Sequence, residues 1–206
     1  MNNDEKYLLI IGFFYSLVFF VSINFPFFWD TILYSRIAHW FLENNFSGLI
    51  LPELLDTGNQ PFFSLAIAFL WNFFGKSLFI SHLLIFPFLI GIGWQYYLLA
   101  KNFINKNLIL AALLFLFIEP TLLAQSTMVS LDIIIVFFYL LGLNGIIKQK
   151  SLLISVAAIG LSLTNLRGDL LLISLLLTNV IVNYHSGNKI FTNFINYIPG
   201  LIIIAT

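Results

Sequence analysis

Residues 7–28 read Tyr-Leu-Leu-Ile-Ile-Gly-Phe-Phe-Tyr-Ser-Leu-Val-Phe-Phe-Val-Ser-Ile-Asn-Phe-Pro-Phe-Phe, without a charged side chain. A helix of about 20 such residues is long enough to cross the hydrocarbon core of a bilayer. The residues before it, Met-Asn-Asn-Asp-Glu-Lys, are not the basic start of a secretory signal, and no Ala-x-Ala cleavage site follows. A secretory signal also has a shorter apolar core. The stretch therefore predicts a retained signal-anchor helix.

Composition extends that reading to the whole chain. Sixty per cent of the residues are hydrophobic and 9% are charged, against about 25% charged in an ordinary soluble domain. A soluble fold of this size could not hide so much apolar surface, so lipid is expected to solvate much of it. The formal net charge is zero, and nothing points to a nucleic-acid partner. There is no cysteine, which excludes disulfides and thiol chemistry and leaves the compartment open.

Apolar runs separated by polar residues predict spans over residues 7–28, 77–100, 108–118, 131–147, 151–166, 170–182 and 191–206. Residues 61–74 are apolar but too short to cross, so a re-entrant or membrane-surface helix is expected there. With the N-terminus inside, the inner loops hold Lys6, Lys101, Lys106, Lys148, Lys150 and Lys189. The outer loops then hold Arg36, Lys76 and Arg167. That alternation follows the enrichment of basic residues in cytoplasmic loops, and it requires that 61–74 not cross. Asp30, Glu43, Glu53, Asp56, Glu119, Asp132 and Asp169 fall outside or at outer span ends. The expected architecture is all-α, a polytopic transmembrane helix bundle forming one domain over 1–206. Its long first outer loop, 29–76, carries interfacial helices. Within that loop Leu33, Ile37, Trp40 and Phe41 form a helical stripe, with Arg36, His39 and Glu43 opposite. The chain ends Ile-Ile-Ile-Ala-Thr with no polar flank, and the expectation is the N-terminal part of a longer protein.

The outer acids and Arg167 are the candidate site, each with a plain structural reading beside the chemical one. Asp30 opens the interfacial segment, as a helix N-cap or as a general base. Asp56-Thr-Gly-Asn-Gln-Pro61 is a turn, or a loop folding back over a site. Asp132 starts an apolar run, where a carboxylate costs about 2.5–3.5 kcal/mol at mid-membrane and less near an end. It is an interfacial N-cap or a functional acid. Arg167-Gly168-Asp169 is a tight turn with a local ion pair, or an anion clamp whose guanidinium matches phosphate. His39, His82 and His185 have no metal-ligand spacing.

The order of these features resembles the N-terminal half of the GT-C membrane glycosyltransferases. It is most similar to the protein O-mannosyltransferase and lipid A aminoarabinose transferase type. Those enzymes carry Asp-Glu or Asp-Asp in the first loop, where this chain has Trp29-Asp30-Thr31. They often carry His-Pro-Pro-aromatic, where this chain has Asn59-Gln60-Pro61-Phe62-Phe63. They have an acid resembling Asp132, and Lys-Gly where this chain has Arg167-Gly168. The second acid and the His are missing, as are the large outer domain or further spans usual in such families. The resemblance covers residues 13–172 and implies a function. A polyprenyl-phosphate sugar donor docks at the outer leaflet, and the acceptor is a lipid, glycan or protein. Asp30 takes the acceptor hydroxyl's proton, and transfer inverts the anomeric carbon. Arg167 holds the departing phosphate, and Asp132, Asp56 and Asn59 complete the donor site. Some members use a divalent metal and others do not, so the resemblance leaves a metal open. Two other classes fit the spans: a transporter or lipid flippase with Asp132 and Arg167 lining its path, and a non-catalytic assembly subunit. Transporters often carry inverted repeats, and no internal repeat is evident.

Overall fold

The computed structural model describes residues 2–48, 50–56, 58–187 and 194–205. Lys189, residues 191–193 at the start of the last expected span, and Thr206 lie outside the described residues. The chain is all-helical, with no strand among the described residues. In order, the helices are α1 (Asn3–Ser22), α2 (Asp30–Glu43), α3 (Phe62–Phe74), α4 (Leu78–Phe103), α5 (Ile109–Ile118), α6 (Pro120–Ser126), α7 (Leu131–Ile147), α8 (Ser151–Ser162), α9 (Leu166–His185) and α10 (Ile198–Ala205). Short 3-10 turns precede α5 and α10. By length and apolarity α1, α4 and α9 can each cross a membrane, and α5 with α6 adds a fourth if the bent pair is one span. α7, α8 and the 194–204 segment are apolar but shorter. Phe13 and Phe20 on α1 are 76% and 68% exposed. Large apolar side chains left bare along a long helix are what lipid contact requires. This is a membrane protein.

Two compact units divide the chain, Met1–Ile134 and Ile135–Thr206, with the boundary inside α7. The first is organised by α1 and α4, which pack antiparallel. Tyr7 meets Tyr97 at 5.0 Å between ring centroids, and Phe19 meets Phe86 at 4.9 Å and Phe79 at 5.8 Å. Midway, Gly93 lets the backbones close, because a Cβ there would lie 2.5 Å from Ile11 Cγ2. Small residues serve membrane helix contacts in this way. α1 stops at Ser22, six residues before the apolar run ends. Ser22 Oγ donates to the Val18 carbonyl at 2.9 Å, and Pro26 disfavours helix at Phe25. The chain released there is held by His82, whose Nε2–H donates to the Phe25 carbonyl at 3.2 Å; a carbonyl only accepts, so this nitrogen carries the proton. Ser77 caps α4 by accepting from Ile80 N at 3.2 Å. Residues 23–77 thus leave α1 and enter α4 at the same end of the pair.

Within that insertion α2 and α3 pack on one another, with Tyr34 edge-on to Phe63 at 5.3 Å. The buried face of α2 is Thr31, Tyr34, Ile37, Ala38 and Phe41. It is rotated from the expected stripe: Leu33 and Trp40 are half-buried instead. Trp71 of α3 donates through Nε1 to Ser81 Oγ at 2.9 Å, which donates on to the Ser77 carbonyl at 2.9 Å. The helical stretch expected over 108–118 runs further. α5 ends at Glu119-Pro120, and α6 continues after a bend of 62°. Pro120 lacks an N–H and suits a first helical position, while Glu119 accepts from Thr121 N and Leu122 N at 3.1 and 2.5 Å.

In the second unit small residues again set the spacing. Cβ atoms at Gly142 and Gly160 would fall 2.5 Å from Leu175 Cδ1 and from the Phe138 ring. Asn144, Asn179 and Asn183 are buried, and Asn183 Nδ2 donates to Asn179 Oδ1 at 3.2 Å. Gln149 Nε2 reaches Asn183 Oδ1 at 3.3 Å. Nearer the middle of α7, the Tyr139 and Ser174 hydroxyls are 3.2 Å apart. Polar contacts of this kind between membrane helices average about 0.6 kcal/mol. A double-mutant cycle with Tyr139→Phe and Ser174→Ala should return a coupling of about that size in unfolding experiments. Strictly additive losses would mean the two hydroxyls do not bond.

Candidate functional site

Asp30 is not a helix N-cap. Trp29 occupies the cap position, with φ 46° and no side-chain cap bond, and Asp30 is the first helical residue. Trp29 is 76% exposed, and a tryptophan at positive φ stores strain of about 1–3 kcal/mol. The Asp30 carboxylate is exposed and has no hydrogen-bond partner among the described residues. A carboxylate in the first turn is favoured by the helix dipole, and without a partner it keeps its lone pairs for an incoming proton.

The next residue fixes where that carboxylate sits. Thr31 is buried, and its hydroxyl donates to the Val129 carbonyl at 3.0 Å, across 98 positions of sequence. Val129 lies in the turn that opens α7. There Ser130 Oγ accepts from Asp132 N at 3.2 Å. The serine is therefore the capping side chain, which removes that role from Asp132. Asp132 is half-buried in the first turn of α7. One hydrogen bond thus joins the residue after Asp30 to the residue three before Asp132, within the first unit.

Asp56 and Asn59 lie on either side of Gly58, shortly before α3. Asp56 Oδ1 accepts from Gly58 N at 2.8 Å, and Gly58 takes φ 66°, a conformation natural to glycine. The turn reading of this segment therefore holds locally. On α2, His39 and Glu43 form an exposed pair at 3.2 Å, of the kind that contributes little.

Arg167-Gly168-Asp169 does not form a tight turn. It is the first turn of α9, and Asn165 caps it by accepting from Arg167 N at 3.0 Å and Gly168 N at 3.3 Å. Arg167 is exposed. Among the described residues Asp169 Oδ1 is buried without a hydrogen-bond partner, so the expected local pair with Arg167 is not made there. Gly168 answers to packing, since a Cβ there would overlap Thr164 Oγ1 and the Leu161 carbonyl oxygen. Among the described residues no three His, Cys, Asp or Glu side chains gather as a metal site.

Sequence reasoning missed Thr31, Ser130 and Asn165, the three side chains that orient the candidates. Ser130 and Asn165 carried a readable signal, a capping residue at or near the start of an apolar run. Thr31 carried none, because its partner is distant in sequence. No family model, curated protein or solved structure matches the chain.

The Thr31 bond is testable by an isosteric change. Thr31→Val should leave the buried Val129 carbonyl unsatisfied and cost about 1–3 kcal/mol of stability. Unaltered thermal unfolding would show that this bond does not hold the corner.

Proposed function

We propose that this protein is a membrane glycosyltransferase that moves a sugar from a polyprenyl phosphate to an acceptor hydroxyl at the outer face of the plasma membrane. The observation that supports the reading is the Thr31–Val129 hydrogen bond, which ties the helical turn of the exposed Asp30 to the turn before Asp132. In the proposed reaction Asp30 accepts the proton of the acceptor hydroxyl. The hydroxyl oxygen bonds to the anomeric carbon as the bond to the donor phosphate oxygen breaks, with inversion. The electron pair leaves on the polyprenyl phosphate. The family resemblance assigns Arg167 to that departing charge. Preorganised positive charge where negative charge develops is the usual means of stabilising such a departure. The same resemblance assigns Asp132, Asp56 and Asn59 to the donor and leaves a divalent metal open.

Sidedness rests on charge. Lys101 and Lys106 lie at the end of the α1–α4 pair opposite to Asp30, where Lys101 binds Asp4 at 2.7 Å. Basic residues favour the cytoplasmic side, so the N-terminus is assigned inside and the acids outside.

Asp30→Asn tests the proposal. The substitution keeps the size and polarity of an exposed side chain in the first helical turn, so the fold should survive while the base is lost. Sugar transfer from a polyprenyl-phosphate donor, assayed in membranes, should fall about 10²–10⁴-fold. Transfer at the parental rate would remove Asp30 from catalysis.

A further inference from the structure

At the opposite end of the first unit a cavity of about 620 Å³ is lined by Asn2, Asp4, Tyr7, Tyr97, Lys101 and Lys106, with Asn107 among its other walls. It lies between the N-terminus of α1, the C-terminus of α4 and the turn before α5. Its position is that of a bilayer interface, because α1 and α4 are both long and apolar enough to span. The two tyrosines and two lysines are the residue types that favour that depth.

Only part of the charge in the cavity is used by the fold. Asp4 binds Lys101 through both carboxylate oxygens, at 2.7 and 3.0 Å, and accepts from the Tyr97 hydroxyl. Lys101 Nζ also lies over the Tyr97 ring, 5.8 Å from its centroid. The Asp4 and Lys101 charges offset one another there and close the α1–α4 contact. The Lys106 ammonium has no hydrogen bond or ion pair among the described residues, although it lines the same space. Among those residues, one uncompensated positive charge therefore remains in the cavity, beside the amide of Asn107 and the tyrosine rings.

We infer that this cavity binds the headgroup of an anionic glycerophospholipid, with Lys106 on its phosphodiester. A phosphodiester carries a single negative charge, which matches the charge of Lys106. Basic pockets between membrane helices are suited to such headgroups. The acyl chains would follow the bare apolar surface of α1. The assignment is independent of the transferase reading, since it uses none of the residues at the Asp30 corner.

The test uses the intact chain in phosphatidylcholine nanodiscs doped with phosphatidylglycerol, with retained lipid counted by native mass spectrometry. Phosphatidylglycerol should be retained over phosphatidylcholine. Lys106→Gln should weaken that retention about fivefold, the effect of one basic residue near an anionic surface. The Lys106 side chain bonds to none of the described residues, so thermal unfolding should be unchanged. Lys6→Gln, an exposed neighbour outside the cavity, should leave retention as it was. Equal losses in the two variants would mean unspecific surface attraction and would overturn the site. Displacement of the lipid by inorganic phosphate would make it a free-anion site and overturn the lipid assignment, as would equal retention of phosphatidylcholine.

Discussion

The antiparallel contact of α1 with α4 is the constraint on which the first unit depends. Lipid offers no hydrogen bonds to helix ends or side-chain polar groups, so the pair must be tied from within. Asp4 with Tyr97 and Lys101 ties one end, and His82 on the Phe25 carbonyl ties the other. Between them Gly93 lets Ile11 and Tyr15 approach closely. Because the pair is antiparallel, residues 23–77 must begin and end together, whatever α2 and α3 do in between. The Asp30 corner follows from that geometry. Chain released at Ser22 has only a few residues before α2 begins, and Thr31 then anchors α2 to the turn before α7.

The polar side chains in this chain divide into those that build and those left over. Ser77, Ser81, Ser130 and Asn165 bond to backbone or to one another at helix ends. Asn179 and Asn183 bond to each other inside the second unit. The Asp30 carboxylate and the Lys106 ammonium bond to none of the described residues, and they sit at opposite ends of the α1–α4 pair. Their functional assignments come from their neighbours: Asp30 precedes the Thr31 that bonds to Val129, and Lys106 lines the cavity beside Tyr97 and Lys101.

Much of the helix order was legible in the sequence, because apolar runs long enough to span leave little choice. The limits of α7, residues 131–147, coincide with the expected span. The errors fall where a few polar atoms decide. Apolarity alone carried the first span through Phe28, whereas Pro26 and the Ser22 hydroxyl end it sooner. Arg167-Gly168-Asp169 looked like a turn because of its charges and glycine, but Asn165 caps a helix that includes all three. The corner joining Asp30 to Asp132 was not legible at all. It rests on a hydroxyl and a carbonyl 98 residues apart, a pairing that no local pattern encodes.

The central claim is that the Asp30 corner and the α2–α3 insertion lie on one side of the membrane and the Lys106 end on the other. With no native cysteine, the single variants Asp56→Cys and Lys106→Cys can be labelled in intact cells with a membrane-impermeant thiol reagent. The account predicts that position 56 reacts from outside and position 106 only after permeabilisation. Labelling of position 106 from outside, or silence at position 56 until the membrane is opened, would contradict it.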